Sequence, residues 1–513
     1  MSLSIEPLEP AGARVLVAGA GTTGASAVTV LQRLGAKTVL VDRRFSGDES
    51  AEQRAPEGFL TGPAPFAGVD LVVTSPGFPP DNDFLVAART AGVPVWGDVE
   101  LAWRLDRAGL TGPPRTWLVI TGTNGKTTTT AMCEAILQAA GLPGLACGNI
   151  GLTVLDALCA EPRAEVLAVE LSSFQLHWAP SVRPRAGVVL NVAADHLDWH
   201  GSFAAYRDAK AQVLRGDVAI VGLDDEEAAA IGVSAPTRRV GFTLAEPGPG
   251  QLGVQGTLTD GVLVDAAFDD DGGTRPISRV PQELVAAARI SPAGPSGISD
   301  ALAAAALTRA IGVSADAVGR GLSGFSPAAH RGQTVARLGG VAFVDDSKAT
   351  NPHAARAAID GHRRTVLIAG GLLKGAPVDD LVIHAADRLA GVVAIGRDRE
   401  VIVEAIARHA PQVPVVTVFT GDTGAVTVQR IAAGRVSRVP DQPAGRRPEL
   451  SDADAVMAQA VLEAWSLAQA APDTESVLLA PAAASLDMFA SYGARGDSFA
   501  DAAGALVDAV AES

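Results

Sequence analysis

Trp117-Leu-Val-Ile-Thr-Gly-Thr-Asn-Gly-Lys-Thr-Thr-Thr-Thr130 is the stretch that decides the fold of this chain. Its apolar residues Trp117–Ile120 predict a short buried strand, Gly122 and Gly125 predict a turn, and the threonines lead into a helix. Glycines let backbone N–H groups turn toward bound oxygen atoms, and the helix N-terminus adds partial positive charge. The combination is typical of a phosphate-binding loop, in a variant with fewer residues than usual between its glycines.

The residues after this turn carry the chemistry expected of such a loop. Lys126 would reach the terminal phosphates of a nucleotide, and Thr127 would offer its hydroxyl to Mg²⁺. The predicted strand Glu165–Glu170 ends in an acid, and an acid in this place commonly meets the magnesium ion of the nucleotide. Two plainer interpretations are a turn that uses glycine for geometry alone and an acid that only stabilises a helix N-terminus.

The composition sets the broad class of protein. A length of 513 residues predicts two to four domains, and 48% apolar with 19% charged residues indicates an ordered globular chain. The net charge of −16 argues against nucleic acid as the main partner. The three cysteines form no close-spaced pair, which argues against a disulfide framework or a zinc ribbon. With no secretory signal and no membrane-spanning run, we expect a soluble cytoplasmic protein without membrane insertion.

The N-terminal region resembles a dinucleotide-binding unit. A strand at 14–19, a glycine turn at Gly19–Gly24 and a second strand ending at Asp42 form the expected βαβ opening, with Asp42 placed to meet a ribose hydroxyl. NAD is the natural interpretation, but the same geometry binds other nucleotides or merely packs a helix on a sheet. After a strand at 71–74, the Ser75–Gly77 turn lies where parallel sheets bind ligands.

The chain as a whole predicts an α/β fold with three domains at 1–110, 111–325 and 326–513. The first is Rossmann-like, the second is a P-loop ATPase-type domain with a hairpin at 256–264 around Asp260-Gly261, and the third is again Rossmann-like. A linker is expected at Arg107–Arg115 and a surface loop at Gly434–Glu449. The third domain has five predicted strands, at Val341–Val344, Thr365–Ile368, Gly391–Ile395, Val413–Val418 and Val477–Leu479.

Five motifs occur in an order that resembles the Mur ligase family of peptidoglycan synthesis. They are Thr121–Thr128, Glu170–Leu176, Asn191 with Asp195-His196, His330-Arg331 and Asp346–Asn351. The resemblance covers nearly the whole chain. The Glu170–Leu176 string and the Thr74–Gly77 turn are most similar to the branch of the family that adds D-glutamate.

The resemblance implies an ATP-dependent ligase of cytoplasmic cell-wall precursor synthesis, and a monomer. ATP would phosphorylate the carboxylate of UDP-N-acetylmuramoyl-L-alanine, and the amine of D-glutamate would attack the acyl phosphate. Because two anions must meet, charge neutralisation must dominate catalysis. Two Mg²⁺ sites are implied, and Lys210 matches a lysine that the family carries as a carbamate. The resemblance redirects the first domain from NAD to UDP.

The site residues implied by the resemblance fall into groups by role. The catalytic residues would be Lys126, Glu170, His196 and Lys210, and the metal ligands would be Thr127, Glu170, His196 and carbamylated Lys210. The ATP-binding residues would be Gly122, Thr123, Asn124, Gly125, Lys126, Thr127, Thr128, His330, Arg331 and Asp346. The UDP-substrate residues would be Thr22, Thr23, Asp42, Arg43, Ser75, Pro76, Gly77 and Asn149. The D-glutamate residues would be Thr350, Lys374, Ser485, Leu486 and Tyr492.

One departure from the family pattern and three alternatives remain. Ser296–Asp300 stands where the family often has His-Asn-x-x-Asn near the nucleotide, which puts adenine contacts from this segment in doubt. The alternatives are a NAD-dependent oxidoreductase, another amide ligase of the family and a non-catalytic nucleotide sensor. The other ligases considered are folylpolyglutamate synthetase and the lipid II amidation subunit. The first of these lacks the N-terminal domain, and the second usually carries a four-cysteine zinc ribbon.

Overall fold

The computed structural model describes residues 9–45, 53–56, 60, 66–269, 280–327, 329–421, 425–432, 435–438 and 451–511. Within these ranges the strands form three sheets, with helices between the strands, and the α/β fold class is confirmed. The chain divides into two compact units. The first comprises Met1–Ile290 and Ser299–Phe325 and contains two sheets, whereas the second comprises Ser291–Ile298 and Ser326–Ser513 and contains the third. The predicted boundaries after residues 110 and 325 stay predictions.

The first sheet is parallel throughout and has the strand order β3-β2-β1-β4-β5, which is typical of doubly wound folds. Its strands are β1 (Arg14–Ala18), β2 (Lys37–Val41), β3 (Gln53–Arg54), β4 (Leu71–Thr74) and β5 (Val95–Gly97). Its helices span Thr22–Arg33, Asp83–Thr90 and Asp98–Arg107. The last residue of β1 pairs with the last residues of β2 and β4, so Gly19, Asp42 and Ser75 leave the sheet at one edge.

The second sheet has the order β14-β13-β12-β11-β10-β9-β6-β8-β7. Its strands are β6 (Thr116–Thr121), β7 (Gly144–Gly148), β8 (Val166–Glu170), β9 (Ala186–Val189), β10 (Val218–Gly222), β11 (Arg238–Phe242), β12 (Gln251–Gln255), β13 (Val262–Asp265) and β14 (Gln282–Ala286). The α-helices after β6 span Lys126–Ala139, Val154–Leu158, Ser173–His177, Leu197–His200, Phe203–Ala211, Glu226–Val233, Pro295–Arg309 and Ala315–Gly324, with short 3₁₀ turns at Gln212–Arg215 and Ala287–Arg289. Ile120 and Gly148 both pair with Glu170, so the phosphate loop and two neighbouring strand ends share one edge.

The predicted hairpin at 256–264 exists, but its turn is longer than expected. Strands β12 and β13 are antiparallel, and Gln255 pairs with Val262. Residues 256–261 form the loop between the two strands. The sequence instead predicted that the strands would continue up to a turn at Asp260-Gly261. Gly256 has φ 96°, which ends the strand early, and the Gly261 N–H donates to the Thr257 carbonyl.

The third sheet has the order β15-β16-β22-β17-β18-β19-β20-β21. Its strands are β15 (Gln333–Leu338), β16 (Val341–Asp345), β17 (Thr365–Gly370), β18 (Leu389–Ile395), β19 (Val415–Thr420), β20 (Val426–Ala432), β21 (Arg435–Arg438) and β22 (Ser476–Leu479). Its helices span Pro352–Asp360, Asp379–Ala385, Arg399–His409, Asp452–Ala470 and Tyr492–Ala511. The five predicted strands are confirmed, and sequence reasoning missed the antiparallel strands β15, β20 and β21. No helix in the described ranges is long and apolar enough to cross a lipid bilayer.

The predicted surface loop at Gly434–Glu449 is wrong for Arg435–Arg438, which form strand β21 beside β20. Charged and proline residues dominate this stretch, and they hid a short alternating pattern that suits a sheet edge. Arg430 on β20 is held by Glu463 of helix Asp452–Ala470, with 2.8 Å between Nη2 and Oε2. Residues 434 and 439–449 lie outside the described residues.

The predicted linker Arg107–Arg115 is a fixed connection within the first unit. Asp106 at the end of its helix is fully buried and accepts hydrogen bonds from the Arg115 backbone N–H and guanidinium, at 3.0 and 2.9 Å. The Trp117 indole N–H donates to the same carboxylate at 3.0 Å. Glycine and proline therefore shape a tight turn here, and a buried ion pair holds it in place.

Candidate active site

The phosphate loop has the conformation that its glycines predict. Gly125 has φ 83°, and a Cβ at this position would collide with the Asp300 carboxylate, so only glycine fits. Helix Lys126–Ala139 starts immediately afterwards. The Lys126 ammonium folds back over the loop and donates to the carbonyls of Gly122 and Thr123 at 3.0 and 2.8 Å. This places a positive charge where the phosphates of a nucleotide would lie.

Asn191, which lies just after the neighbouring strand β9, fixes the backbone of the phosphate loop through hydrogen bonds. Its Oδ1 accepts the backbone N–H groups of Thr123 and Asn124 at 3.1 and 2.9 Å, and its Nδ2 donates to the Asn124 carbonyl at 3.2 Å. The motif contained Asn191, but sequence reasoning gave it no role. An amide that follows a strand at the same sheet edge was the available signal, since its oxygen can accept and its NH₂ can donate hydrogen bonds at the same time.

Thr127 and Glu170 meet as predicted for a magnesium–nucleotide site. The Thr127 hydroxyl donates to Glu170 Oε2 at 2.7 Å, and the Glu170 side chain is buried. Within the described ranges no group of three or more His, Cys, Asp or Glu side chains could hold a metal ion by itself. Magnesium commonly takes one or two carboxylates and completes its shell with phosphate oxygens and water. The hydroxyl–carboxylate pair beside the loop therefore fits Mg²⁺ bound together with a nucleotide.

Asn149 lies beside Glu170, at the phosphate loop. Its side-chain amide donates to Glu170 Oε1 at 3.1 Å, and its backbone N–H donates to the Glu170 carbonyl. Its expected contact with a sugar–peptide stays a prediction. The amide is already used to orient the carboxylate, which gives Asn149 a second role that the sequence did not reveal.

Lys210 is brought to the phosphate loop and is almost completely buried. Its ammonium donates to the Gly122 carbonyl at 2.7 Å and lies 4.6 Å from the ring centre of Tyr206. Burial lowers the pKa of Lys210 well below its usual value, and the charge of Lys126 lowers it further, while Asp195 and Glu170 oppose the shift. Burial therefore makes the neutral amine of Lys210 easier to form than that of an exposed lysine.

His196 lies on the more exposed side of the same edge. It precedes helix Leu197–His200 with φ 54°, a conformation that is uncommon outside glycine. Its ring lies 4.7 Å from that of Phe174, and its Nε2 is 3.4 Å from Asp195 Oδ2. The side chain is half exposed, which leaves it accessible to a ligand.

The predicted nucleotide-sugar residues lie at the carboxyl edge of the first sheet. Asp42 Oδ2 accepts the Ala20 N–H at 2.7 Å, and a hydrogen bond from the Arg44 side chain holds the pKa of Asp42 well below its usual value. Thr22 and Thr23 open the adjacent helix, and Arg43 is exposed. Asp42 thus organises the turn from which ligand groups would be bound.

The Ser75 hydroxyl in this turn is a buried polar group without a hydrogen-bond partner among the described residues. It faces the Gly19 turn, where a Cβ would collide with it. Gly77 is exposed, and a Cβ there would meet nothing within 4 Å. Because a buried hydroxyl without a partner is costly, this geometry fits a polar ligand that enters beside Ser75.

In the second unit, His330, Arg331 and Asp346 lie around the end of β16. His330 has φ 65°, and its Nδ1 is 2.7 Å from Oδ2 of the buried Asp345. Burial raises the pKa of Asp346 to about 7, Arg331 opposes this shift and the neighbouring Asp345 adds to it. Asp345 was not predicted, although its position at a strand end pointed to it.

The loops that carry the predicted amino-acid residues are joined at the edge of the third sheet. Leu372 and Ala484 exchange backbone hydrogen bonds at 2.9 and 3.0 Å, which brings the Lys374 and Ser485 loops together. Ser485 is buried, whereas Leu486 and Tyr492 are exposed. Further backbone and side-chain contacts attach the Thr350 loop and Tyr492 to the same edge, namely Ala482 N–H to Ala349 O at 2.9 Å and Ser347 Oγ to Tyr492 O at 2.8 Å.

Two residues near these sites were missed by sequence reasoning. Asp300, in the departing segment, accepts from the Thr129 hydroxyl at 3.3 Å beside the phosphate loop. Arg495 is buried, and it donates to the hydroxyl and carbonyl of Ser347 and to the Ala483 carbonyl. Burial lowers the pKa of Arg495 to about 10. A charged residue on an otherwise apolar helix face was its only sequence signal.

Comparisons with known proteins agree with this geometry. The family model of the Mur ligase MurD-like N-terminal domain matches residues 13–97, and the model of the Mur ligase middle domain matches residues 120–251. The chain is 56% identical to the UDP-N-acetylmuramoylalanine–D-glutamate ligase of Rhodococcus jostii over 96% of each chain. It is 52% identical to the ligase of the same name from Mycolicibacterium smegmatis over 98% of each chain.

Solved structures with a similar fold are more distant in sequence. MurF from Acinetobacter baumannii has a TM-score of 0.55 at 16% identity, with 96% of this chain and 91% of that chain covered. MurF ligase from Thermotoga maritima in complex with ADP has a TM-score of 0.55 at 14% identity, with 98% and 96% covered. At such identities the likeness concerns the fold alone.

Proposed function

This chain belongs to the Mur ligase family, and we propose that it joins D-glutamate to UDP-N-acetylmuramoyl-L-alanine at the expense of ATP. The observation that carries the proposal is 56% identity, over nearly the full length, to a ligase named for this reaction. The meeting of Lys126, Thr127 and Glu170 at the phosphate loop supports it. The reaction belongs to cytoplasmic peptidoglycan precursor synthesis, and the enzyme acts as a monomer.

The reaction requires that two anions come together. ATP transfers its γ-phosphoryl group to the alanyl carboxylate, and the acyl phosphate formed has phosphate as a good leaving group. The amine of D-glutamate then attacks the acyl carbon, and an amide, phosphate and ADP remain. Lys126 and the loop N–H groups neutralise phosphate charge, and electrostatic stabilisation of this kind is usually the largest catalytic contribution.

The protein oxygens at the loop are suited to Mg²⁺. Thr127 and Glu170 would hold one ion, which when bound supplies charge neutralisation at the phosphates. His196 and a carbamylated Lys210 would hold a second ion. An ammonium would repel a cation, whereas a carbamate places a carboxylate there. Carbamylation joins the neutral amine nitrogen to the carbon of CO₂ with loss of one proton, and the burial of Lys210 favours that neutral amine.

The carbamate can be tested by chemical rescue. Lys210→Ala should abolish ligation, and short carboxylic acids that fill the vacated space should restore part of the rate. Ligation would be followed by phosphate release with and without added acid. Lys37→Ala, treated with the same acids, is the control, because its side chain is exposed and lies outside the proposed sites, so the acids should leave its rate unchanged. An absence of rescue at Lys210 would count against the modification.

The two substrates would bind at different sheets. The uridine diphosphate part of UDP-N-acetylmuramoyl-L-alanine would lie at the carboxyl edge of the first sheet, beside Asp42 and the Ser75 hydroxyl. D-Glutamate would lie at the third sheet, where Lys374 and the hydroxyls of Thr350 and Ser485 suit its two carboxylates. ATP would be bound by the phosphate loop, and His330, Arg331 and Asp346 of the second unit stay predicted ATP-binding residues.

The decisive experiment is a coupled ADP-release assay with Mg²⁺, ATP and UDP-N-acetylmuramoyl-L-alanine across a panel of amino acids. We expect release with D-glutamate and little with L-glutamate or other candidates. Release with another amino acid alone would indicate a different ligase of the family. If purified protein releases no phosphate with all three substrates, the proposed function is wrong.

A further inference from the structure

The indole N–H groups of two tryptophans, which follow strands of the second sheet, donate hydrogen bonds to successive backbone carbonyls of the Ser75–Phe78 turn. The Trp199 indole N–H lies 3.4 Å from the Gly77 carbonyl oxygen, and the Trp178 indole N–H lies 3.2 Å from that of Phe78. The turn belongs to the first sheet, whereas the two indoles lie in the chain after β8 and β9. These residues are parts of the first compact unit.

The two indoles are themselves held firmly. Trp178 is buried in the core on one face of the first sheet, and its carbonyl accepts the Gly97 N–H at 3.0 Å. A Cβ at Gly97 would collide with Trp178, so the close approach needs glycine. The ring of Trp199 packs against Phe174 and His177, with ring centres at 4.7 and 5.2 Å. Neither indole can turn away from its carbonyl without disturbing this packing.

The carbonyls of Gly77 and Phe78 are therefore directed toward the two indoles. The Phe78 N–H closes the turn on the Ser75 carbonyl at 3.3 Å, and the Ser75 hydroxyl has no partner among the described residues. A Cβ at Gly77 would meet nothing within 4 Å. The Gly77 carbonyl shares its peptide unit with the Phe78 N–H that closes the turn, and the Phe78 carbonyl precedes Pro79, which has no N–H. The two indole contacts therefore fix the backbone of the turn, and the Ser75 hydroxyl is the polar group in it that has no partner among the described residues.

We propose that Trp178 and Trp199 are positioning residues for the nucleotide-sugar substrate, acting through the Ser75–Phe78 turn. The proposal rests on the proposed function for the identity of that substrate. The indoles need not touch the substrate. They hold the turn in the conformation that the substrate requires, so that ordering of the turn does not weaken binding.

The test compares single Trp→Phe variants, which keep an aromatic ring and remove the indole N–H. Trp199→Phe and Trp178→Phe should each raise KM for UDP-N-acetylmuramoyl-L-alanine by about three- to tenfold, the size expected for one lost hydrogen bond. We expect kcat, KM for ATP and KM for D-glutamate to change less than about twofold. Calorimetric titration with the same UDP-substrate should show the same loss in affinity.

Trp117→Phe is the matched control. It loses an indole N–H that donates to Asp106, away from the Ser75–Phe78 turn. We expect it to lower the unfolding temperature and to leave KM for the UDP-substrate unchanged. The proposal is overturned if neither test variant raises this KM, if Trp117→Phe raises it equally, or if all three KM values rise together. Failure of the proposed function would look different, since the wild-type protein would then neither turn over nor bind the UDP-substrate.

Discussion

At the scale of single residues, the candidate active site is dominated by two amines that share one carbonyl. The side chains of Lys126 and Lys210 both donate to the Gly122 oxygen, and the charge of one lowers the pKa of the other. Two like charges this close disfavour one another unless anions intervene. The arrangement therefore suits a site that receives phosphate, and the proposed carbamate of Lys210 would relieve the repulsion between the two amines.

Replacement of Lys126 by alanine should reduce kcat/KM by about a hundredfold or more, because it removes a charge that stabilises the transition state. Phosphate release at saturating UDP-substrate and D-glutamate would measure the effect. Lys37→Ala, at an exposed position of β2, is the control and should behave like the wild type. An effect below about threefold would mean that Lys126 serves only the structure of the loop.

Asp346 should make stability depend on pH. Because burial raises its pKa to about 7, the folded protein keeps a proton that the unfolded chain releases near about pH 4. Its contribution to stability is full below that pH and is lost as the pH rises through 7. The unfolding temperature of the wild type relative to Asp346→Asn should therefore fall between about pH 4 and about pH 7 and change little above that range.

Asp501→Asn, at an exposed position of helix Tyr492–Ala511, controls for the loss of one negative charge. Its unfolding temperature relative to the wild type should hardly vary over the same range. A difference between the wild type and Asp346→Asn that stays constant with pH would show that Asp346 is ionised in the folded protein throughout.

At the scale of elements, the strand ends do the positioning. The parallel register places Glu170 beside Ile120 and Gly148, so a carboxylate, the phosphate loop and Asn149 meet without any long side chain reaching across. The tight turn after helix Asp98–Arg107 joins the first sheet to the second within the first unit, and it fixes where β6 begins. Its stability depends on the buried pair of Asp106 and Arg115, whose side chains are 0% and 1% exposed.

Arg115→Met should destabilise the first unit by about 3–5 kcal/mol, since it leaves Asp106 buried with a poorer set of partners. Denaturant unfolding followed by tryptophan fluorescence would report it, because Trp117 donates to the same carboxylate. Arg185→Met is the control. It breaks an exposed pair with Asp217 and should cost about 0–1 kcal/mol. Equal losses in the two variants would contradict a structural role for the buried pair.

At the scale of the whole molecule, the assignment of the first sheet to UDP rather than NAD remains to be tested. A ligand that binds only the folded state at a hundred times its Kd adds about 2.7 kcal/mol to stability. UDP-N-acetylmuramoyl-L-alanine should therefore raise the unfolding temperature, and NADH at the same concentration should not. Stabilisation by NADH alone would favour an oxidoreductase.

Ser75→Ala sharpens this comparison. Its hydroxyl has no partner among the described residues, so its removal should not destabilise the free protein. The stabilisation by the UDP-substrate should nevertheless shrink, if the hydroxyl binds that ligand. An unchanged shift in unfolding temperature would place the substrate elsewhere.

The sequence by itself determined the α/β class and the phosphate loop, and it predicted that Thr127 and Glu170 would lie near the same magnesium ion. Alternating apolar strands and helices encode the sheets, and in a parallel sheet the residues after successive strands must gather at one edge. The identity of the loop residues is local information, since glycine, lysine and threonine serve this chemistry through their own backbone and side-chain properties.

Only the tertiary structure decided which other groups complete the site. Asn191, Asp300 and Arg495 act through contacts with residues far away in the chain. A local pattern can mark such a residue as polar in an unusual place, but it does not show which distant groups the residue contacts. The strands at Gln333–Leu338, Val426–Ala432 and Arg435–Arg438 were missed for a similar reason. Gln333–Leu338 and Arg435–Arg438 are the two edge strands of the sheet, and Val426–Ala432 lies next to one of them. Strands in these places owe their conformation to the neighbours that pair with them, and their own residues express that preference only weakly.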